Sequence, residues 1–225
     1  MFTHFSQKTL DFLIENKLRN DKAWFEENKN LYAEHVLAPL ISLTEALTPT
    51  LLKIDAKLLC QPRVGGSVSR IWRDSRFSKD KSLFRDHMWT MFVRKKNVNL
   101  PEFFFVISPE NFLYGCGYYA ADTASMISFR KLILSGDDDF KKALRAYETQ
   151  TAFQIEGDLY KKSRHPEAPE NLKNWLDRKS ISFTRYSDDF NLLYSNNLAG
   201  TVAEGFQTLA PIYGFLIKCE ERREL

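Results

Sequence analysis

A chain of 225 residues with 44% hydrophobic content can bury a continuous core, and one domain over residues 1–225 is expected. Its 32 Lys and Arg against 29 Asp and Glu leave a formal charge of +3, which excludes a whole-surface affinity for nucleic acid or anionic membrane and makes any anion site local. Three scattered cysteines, Cys60, Cys116 and Cys219, exclude a disulfide framework; with no signal-like N-terminus and no apolar run of ~20 residues, a soluble cytoplasmic protein is expected.

Ser6 is placed to cap a first short helix whose Leu10, Leu13 and Ile14 share a face, and the polar run Lys17 to Asp21 ends it. A longer helix is predicted from Asp21. Its stripe runs through Trp24, Phe25, Asn28, Leu31, Tyr32 and His35, then through Leu40, Thr44, Leu47 and Leu51 past a kink at Pro39. Aromatic and β-branched runs at Met88 to Val93, Glu102 to Ile107 and Phe112 to Tyr119, separated by turn-like segments, predict antiparallel strands. Helical spacing returns at Met126, Ile127, Arg130 and Leu134, and again at Phe140, Leu144 and Tyr147, where Asp137 to Asp139 complement the helix dipole. A short strand near Phe153 to Ile155, a loop over KKSRHPEAPEN, a brief helix at Asn171 to Leu176 and a strand at Ile181 to Tyr186 follow. The last helix carries Leu198, Val202, Phe206, Leu209, Ile212 and Leu216 on one side, with Pro211 kinking it or opening a second helix. The order predicts an α+β fold: a central, mainly antiparallel sheet packed against N-terminal and C-terminal helices.

The stretch RIWRDSRFSKDKSLFRDH sets Arg70, Arg73, Arg76, Lys79, Lys81 and Arg85 around Asp74, Asp80 and Asp86. Arginine forks match carboxylate or phosphate oxygens and lysine adds a mobile charge, so these six cations are the candidate ligand-binding residues. Ile71, Trp72 and Phe77 are interleaved to anchor the backbone, which solvation alone does not explain. The competing reading pairs the nine charges with one another in solvent, where each pair contributes ~0–1 kcal/mol. Asp74 and Asp80 are the candidate catalytic carboxylates, as metal holders or as a general base, although neighbouring cations keep such groups ionised. Gly65 and Gly66 either admit an anion close to the backbone or mark a turn.

Other signals are weaker. Gly115, Gly117 and Ala120 spell GxGxxA, but Tyr118 and Tyr119 put bulk in the would-be phosphate turn, and a bulge at a strand end is preferred. Arg130 interrupts an apolar helical face and calls for an acidic partner, or for a place in the same anion pocket. Lys161, Lys162, Arg164 and His165 form a second basic cluster, either solvated or closing over a ligand held by the first. His4, His35, His87 and His165 show no metal-binding spacing, and neither a GxSxG elbow nor a P-loop is present. Trp24, Phe25 and Tyr32 read as core packing before they read as a pocket wall.

The string RDSRFSKDKSLFRDH, Arg73 to His87, resembles the signature of a bacterial and fungal family known as domain of unknown function 2461. LIENKLRNDKAWFEENKNLYAEHVLAPL, YGCGYYAADTASMISFRKLI and the lysine-bearing stretch Leu159 to Lys162 before HPEAPENLK resemble the same family in matching order. Members commonly carry threonine, proline and tyrosine where this chain has Ser75, Leu83 and Phe84, and the loop around Arg164 is shortened here. The resemblance implies one continuous α+β domain and brings no mechanism with it. The residues therefore carry the expectation: a small phosphate-bearing or other anionic ligand held by Arg73, Arg76, Lys79 and Lys81, helped by Arg70, Arg85 and Arg130, with no cofactor required. One alternative is a phosphoryl-transfer or hydrolytic enzyme with Asp74 or Asp80 at a magnesium ion. Another is a module that docks an acidic protein or RNA.

Overall fold

A computed structural model describes residues 4–76, 78–96 and 98–223 and has the expected α+β architecture. Helices α1 (Gln7–Arg19), α2 (Lys22–Glu27), α3 (Lys29–Tyr32) and α4 (Ala38–Ile54) precede strands β1 (Met88–Val93), β2 (Glu102–Ile107) and β3 (Phe112–Gly117). Helices α5 (Thr123–Leu134) and α6 (Asp138–Glu148), strand β4 (Gln154–Glu156), α7 (Glu170–Leu176), strand β5 (Ser182–Ser187), α8 (Phe190–Leu193) and α9 (Leu198–Glu221) complete the order. The strands form one antiparallel sheet in the order β1-β2-β3-β5-β4, with Ile155 paired to Phe183 in the β4–β5 register.

The chain divides into two compact units, each discontinuous in sequence. Unit 1 is Met1–Phe92, Phe104–Leu113 and Tyr186–Glu204; unit 2 is Val93–Phe103, Tyr114–Arg185 and Gly205–Leu225. In unit 1, α4 buries Leu40, Leu43, Leu47 and Leu51 completely, and its Thr44 hydroxyl meets that of Thr90 on β1 at 2.9 Å. In unit 2, Phe103 of β2 packs against Phe206 and Tyr213 of α9, with ring centroids 4.9 and 4.6 Å away. Each unit thus buries one sheet-facing helix stripe, the arrangement that lets an amphipathic helix and a one-sided strand cover each other.

Local chemistry sets the boundaries. The Ser6 amide donates to Thr9 Oγ1 at 3.1 Å where α1 begins, and Asn20 ends it in the left-handed region at φ 46°, donating its amide to the Asn16 carbonyl. The helix runs on through Pro39: a π-helical turn over Ala33–Leu37 leads into α4, and the His35 carbonyl, four residues before the proline that has no N–H to give it, accepts from the Thr9 hydroxyl at 2.6 Å. Pro211 lies inside α9, which continues past it as one helix. Ile14 and Leu31, expected on buried faces, are 42% and 45% exposed, while Phe12 is buried. By length and composition the stretch Lys29–Ile54 also passes for a membrane-crossing helix, which counting unbroken apolar runs did not register; the α4 leucines buried in unit 1 account for its apolar character.

At the end of β3, Gly117 has φ 147°, and a Cβ there would stand 2.4 Å from Ser182 Cα and 2.6 Å from the Ile181 carbonyl oxygen. The glycine serves close approach of β3 to β5, and Gly115 lies inside the strand, so the GxGxxA letters form no phosphate turn. Cys60, Cys116 and Cys219 are free, and burial pushes all three thiols up.

Asn16 is fully buried on α1, and neither atom of its side-chain amide has a hydrogen-bond partner among the described residues. An unmatched buried polar group costs about 1–3 kcal/mol. Asn16→Leu is therefore expected to raise the thermal midpoint by the equivalent of ~1 kcal/mol, read by calorimetry or circular dichroism. A fall of that size would mean that the amide holds a buried water.

Candidate functional site

The charged segment belongs to unit 1 and closes as a loop on a two-residue ladder. The Arg85 amide donates to the Ile71 carbonyl at 2.9 Å and the Arg73 amide to the Leu83 carbonyl at 2.8 Å, flanking a bridge between Trp72 and Phe84. Aromatic packing fixes that bridge: Trp72 and Phe84 lie 4.4 Å apart, and Phe25 stacks on Phe84 at 5.0 Å and meets Trp72 edge-on at 5.3 Å. Phe25 in turn contacts Phe12 and Tyr32, so α1, α2 and α3 supply the base. Phe25 and Tyr32 are buried here, the packing role read from the sequence. Two polar contacts tie the loop to α1: Asn20 Oδ1 accepts from the Leu83 amide at 2.6 Å, and Lys17 pairs with Asp86. Phe77, expected as an anchor, lies outside the described residues.

Within the loop most charges have partners. Arg73 donates to Asp80 and, at 2.7 Å, to Ser82 Oγ; Asp80 also accepts from the Ser82 amide at 2.9 Å. Arg76 forks onto Asp74 through Nε at 2.9 Å and a terminal nitrogen at 2.6 Å. Lys81 donates to the Ser75 carbonyl at 2.8 Å, and the Arg85 guanidinium sits 4.8 Å over the Trp89 ring. Arg70 and Lys79 are exposed, and their side chains make no hydrogen bond or ion pair among the described residues. The Arg76 fork holds the Asp74 carboxyl down at about 2; the Ser82 amide and then Arg73 hold Asp80 below the ordinary aspartate range. Carboxylates held that low are weak general bases at neutral pH, and as they stand both act as arginine acceptors. Asp86 is also lowered, to about 2, by Lys17 and His87 against the opposing effect of its burial.

Gly65 has φ 70° and gives its amide to the Val68 carbonyl, and a Cβ on Gly66 would stand 2.6 Å from the Gln61 carbonyl oxygen. A left-handed backbone accounts for Gly65 and crowding in the tight turn for Gly66.

Arg130 falls in unit 2, apart from the six cations in the chain's division into units. It is 9% exposed, and carbonyl oxygens stand where an acidic partner was expected: Nε donates to Leu176 and Nη1 to Met126, both at 2.9 Å, while Nη2 donates to Arg178 and reaches the Tyr160 hydroxyl at 3.4 Å. Polarised carbonyls at the end of α7 satisfy a cation without burying a second charge. The second basic cluster also belongs to unit 2, where Arg164 stacks 3.8 Å over the Tyr160 ring and gives its amide to Asp177 Oδ1 at 2.9 Å. Among the described residues no three His, Cys, Asp or Glu side chains gather as metal ligands.

One group escaped the sequence reading. Glu102 opens β2 in unit 2, half-buried and without a hydrogen-bond or ion-pair partner among the described residues, and burial pushes its carboxyl up to about 7. A glutamate in an aromatic strand carries no local signal of burial, since the aromatic and β-branched run that marks EFFFVI as a strand is silent about which face is covered.

The family model of conserved hypothetical proteins designated DUF2461 matches residues 8–215, all but the two ends of the chain. Among curated proteins none matches.

Glu102 makes stability depend on pH with a defined sign. Its folded-state value lies above the ordinary 4.5, so its contribution is fully present below that value and is lost as pH rises through about 7. The loss is at most on the order of 3 kcal/mol. Glu102→Gln should remove it: thermal midpoints of variant and wild type are expected to separate across this window, with the variant the more stable on its alkaline side.

Proposed function

We propose that this chain, which belongs to the conserved hypothetical family DUF2461, binds a phosphate-bearing or other anionic ligand through the charged loop of unit 1. The observation that carries the reading is a clamped backbone under exchangeable charges. The aromatic bridge fixes where the loop begins and ends, while the pairs above it are open to solvent: side-chain exposure is 78% for Arg76 and 56% for Asp74. Exposed pairs contribute ~0–1 kcal/mol each, so an incoming anion can replace Asp74 on Arg76 at small cost, whereas Asp80 on the less exposed Arg73 is held also by Ser82. Arg70 and Lys79 stand ready without any exchange.

Six cations against three carboxylates give residues 70–86 a local charge of +3, equal to the formal charge of the entire chain. The remainder of the sequence is neutral on balance, so attraction of an anion is concentrated here. The magnesium-dependent alternative draws less support, because Asp74 and Asp80 are engaged by Arg76 and Arg73. The docking of an acidic protein or RNA is favoured by one feature, the 37% exposure of Trp72 beside the cations.

Thermal shift with inorganic phosphate, nucleotides and sugar phosphates, each with and without magnesium, tests the reading on three proteins. Phosphate compounds are expected to raise the midpoint of the wild type, to lose that effect in Arg70→Ala/Lys79→Ala, and to act at lower concentration on Asp74→Asn, which removes the competing carboxylate charge at Arg76. Equal stabilisation of all three proteins, or none by any anion, would overturn it. Preference for an RNA oligomer with a steep salt dependence would favour docking.

A further inference from the structure

Unit 2 holds a groove of about 620 Å³ between α6 and α7, within the ~300–1,000 Å³ range of small-molecule sites. Helix α6 contributes Leu144, Tyr147 and Glu148, one helical face; α7 contributes Glu170, Asn171, Lys173 and Asn174, with Asp177 just past its end, and the loop between β4 and α7 adds Leu159 and Ser163. We infer that this groove binds a neutral saccharide or similar polyol, at a site independent of the charged loop.

The inference rests on which polar atoms are already engaged. Asn171 Nδ2 donates to Glu148 Oε1 at 3.0 Å across the groove, leaving its carbonyl oxygen and the second Glu148 oxygen as acceptors. Asn174 Oδ1 accepts from Arg178 at 2.7 Å, which turns the Asn174 amide nitrogen out as a donor. The Tyr147 hydroxyl has no hydrogen bond among the described residues, and its ring is held edge-on by buried Trp175 at 5.8 Å. Lys173 adds a donor, although Glu170 shares it at 3.3 Å. The groove therefore offers both donors and acceptors, and Leu144 and Leu159 supply apolar walls, Leu159 being 53% exposed.

Charge selects among ligand classes. A phosphate, which only accepts, would face the carboxylates of Glu148, Glu170 and Asp177 against the single ammonium of Lys173. An amine, which only donates, would leave the Asn174 amide unmatched and meet that ammonium. A sugar hydroxyl both donates and accepts, and the C–H face of a sugar ring can lie on Leu144, Leu159 and Tyr147.

Saturation-transfer NMR and calorimetry on the full chain test this with neutral mono- and disaccharides, inorganic phosphate and spermidine. At least one saccharide is expected to bind saturably, and Tyr147→Phe and Glu148→Gln should each weaken it about three- to tenfold, one hydrogen bond's worth. Tyr147→Phe keeps the ring that packs on Trp175, so its loss reports the hydroxyl and not the fold. Any response to phosphate should survive both variants, which separates failure here from failure at the loop. No saturable binding of any saccharide, tighter binding of spermidine or phosphate in the groove, or saccharide binding unchanged by both variants would overturn the inference.

Discussion

The ring contact between Trp72 and Phe84 is what the charged loop depends on. Eleven residues lie between them, rich in side chains that repel one another, and no regular element holds the described residues of that segment. The bridge, with Phe25 stacked on it, replaces a sheet edge: hydrophobic contact and two flanking backbone bonds fix both ends of the loop at one place. Aromatic pairs contribute about 0.5–1.5 kcal/mol beyond the area they bury. Asn20 and Lys17 then add a polar side to the clamp. Their position at the end of α1 follows from the left-handed turn at Asn20, which ends the helix and leaves its side chain to meet the Leu83 amide.

Buried and exposed arginines follow opposite rules here. Arg130 is enclosed and satisfied by fixed carbonyl oxygens, so removing it from them would leave a guanidinium without partners in a dry place. It is part of the framework of unit 2. Arg76 pairs with an exposed carboxylate under water, where little is lost on exchange, while Arg73 is more enclosed, at 26% exposure, and pairs with Asp80, which Ser82 also holds. The same residue type thus holds α5 to the end of α7 in one setting and offers an exchangeable contact in the other. Sequence places both kinds in charged or helical contexts without telling them apart, because the difference lies in depth.

Much of the fold was legible for local reasons. Met88 to Val93 and Glu102 to Ile107 were read to the residue because aromatic and β-branched runs end at turn chemistry, and Asp137 marked α6 by capping it. What failed depended on distant partners. Ile14 and Leu31 sit at helical spacing but face outward. The basic loop was visible as composition, yet which cations would be engaged depends on side chains finding Asp74, Asp80 and the Ser75 carbonyl. The groove of unit 2 had no signal, since its polar lining is spread over α6, α7 and the loop before α7, each ordinary by itself.

The aspartates of the loop act as resident anions. Without them six cations on a clamped backbone would repel one another; with them the loop has neutral pairs that can be opened. A ligand bound as proposed would therefore be measured against a carboxylate and not against water. A ligand carboxylate offers Arg76 the same two oxygens and single charge as Asp74, so the exchange gains little. A phosphate near neutral pH carries close to two charges and three acceptor oxygens, enough to engage an arginine fork and still leave an oxygen for Lys79 or Arg70. Under the proposed reading, competition with Asp74 and Asp80 would lower affinity for every anion but lower it most for monovalent ones, and would make the loop selective for phosphate through residues that never touch it.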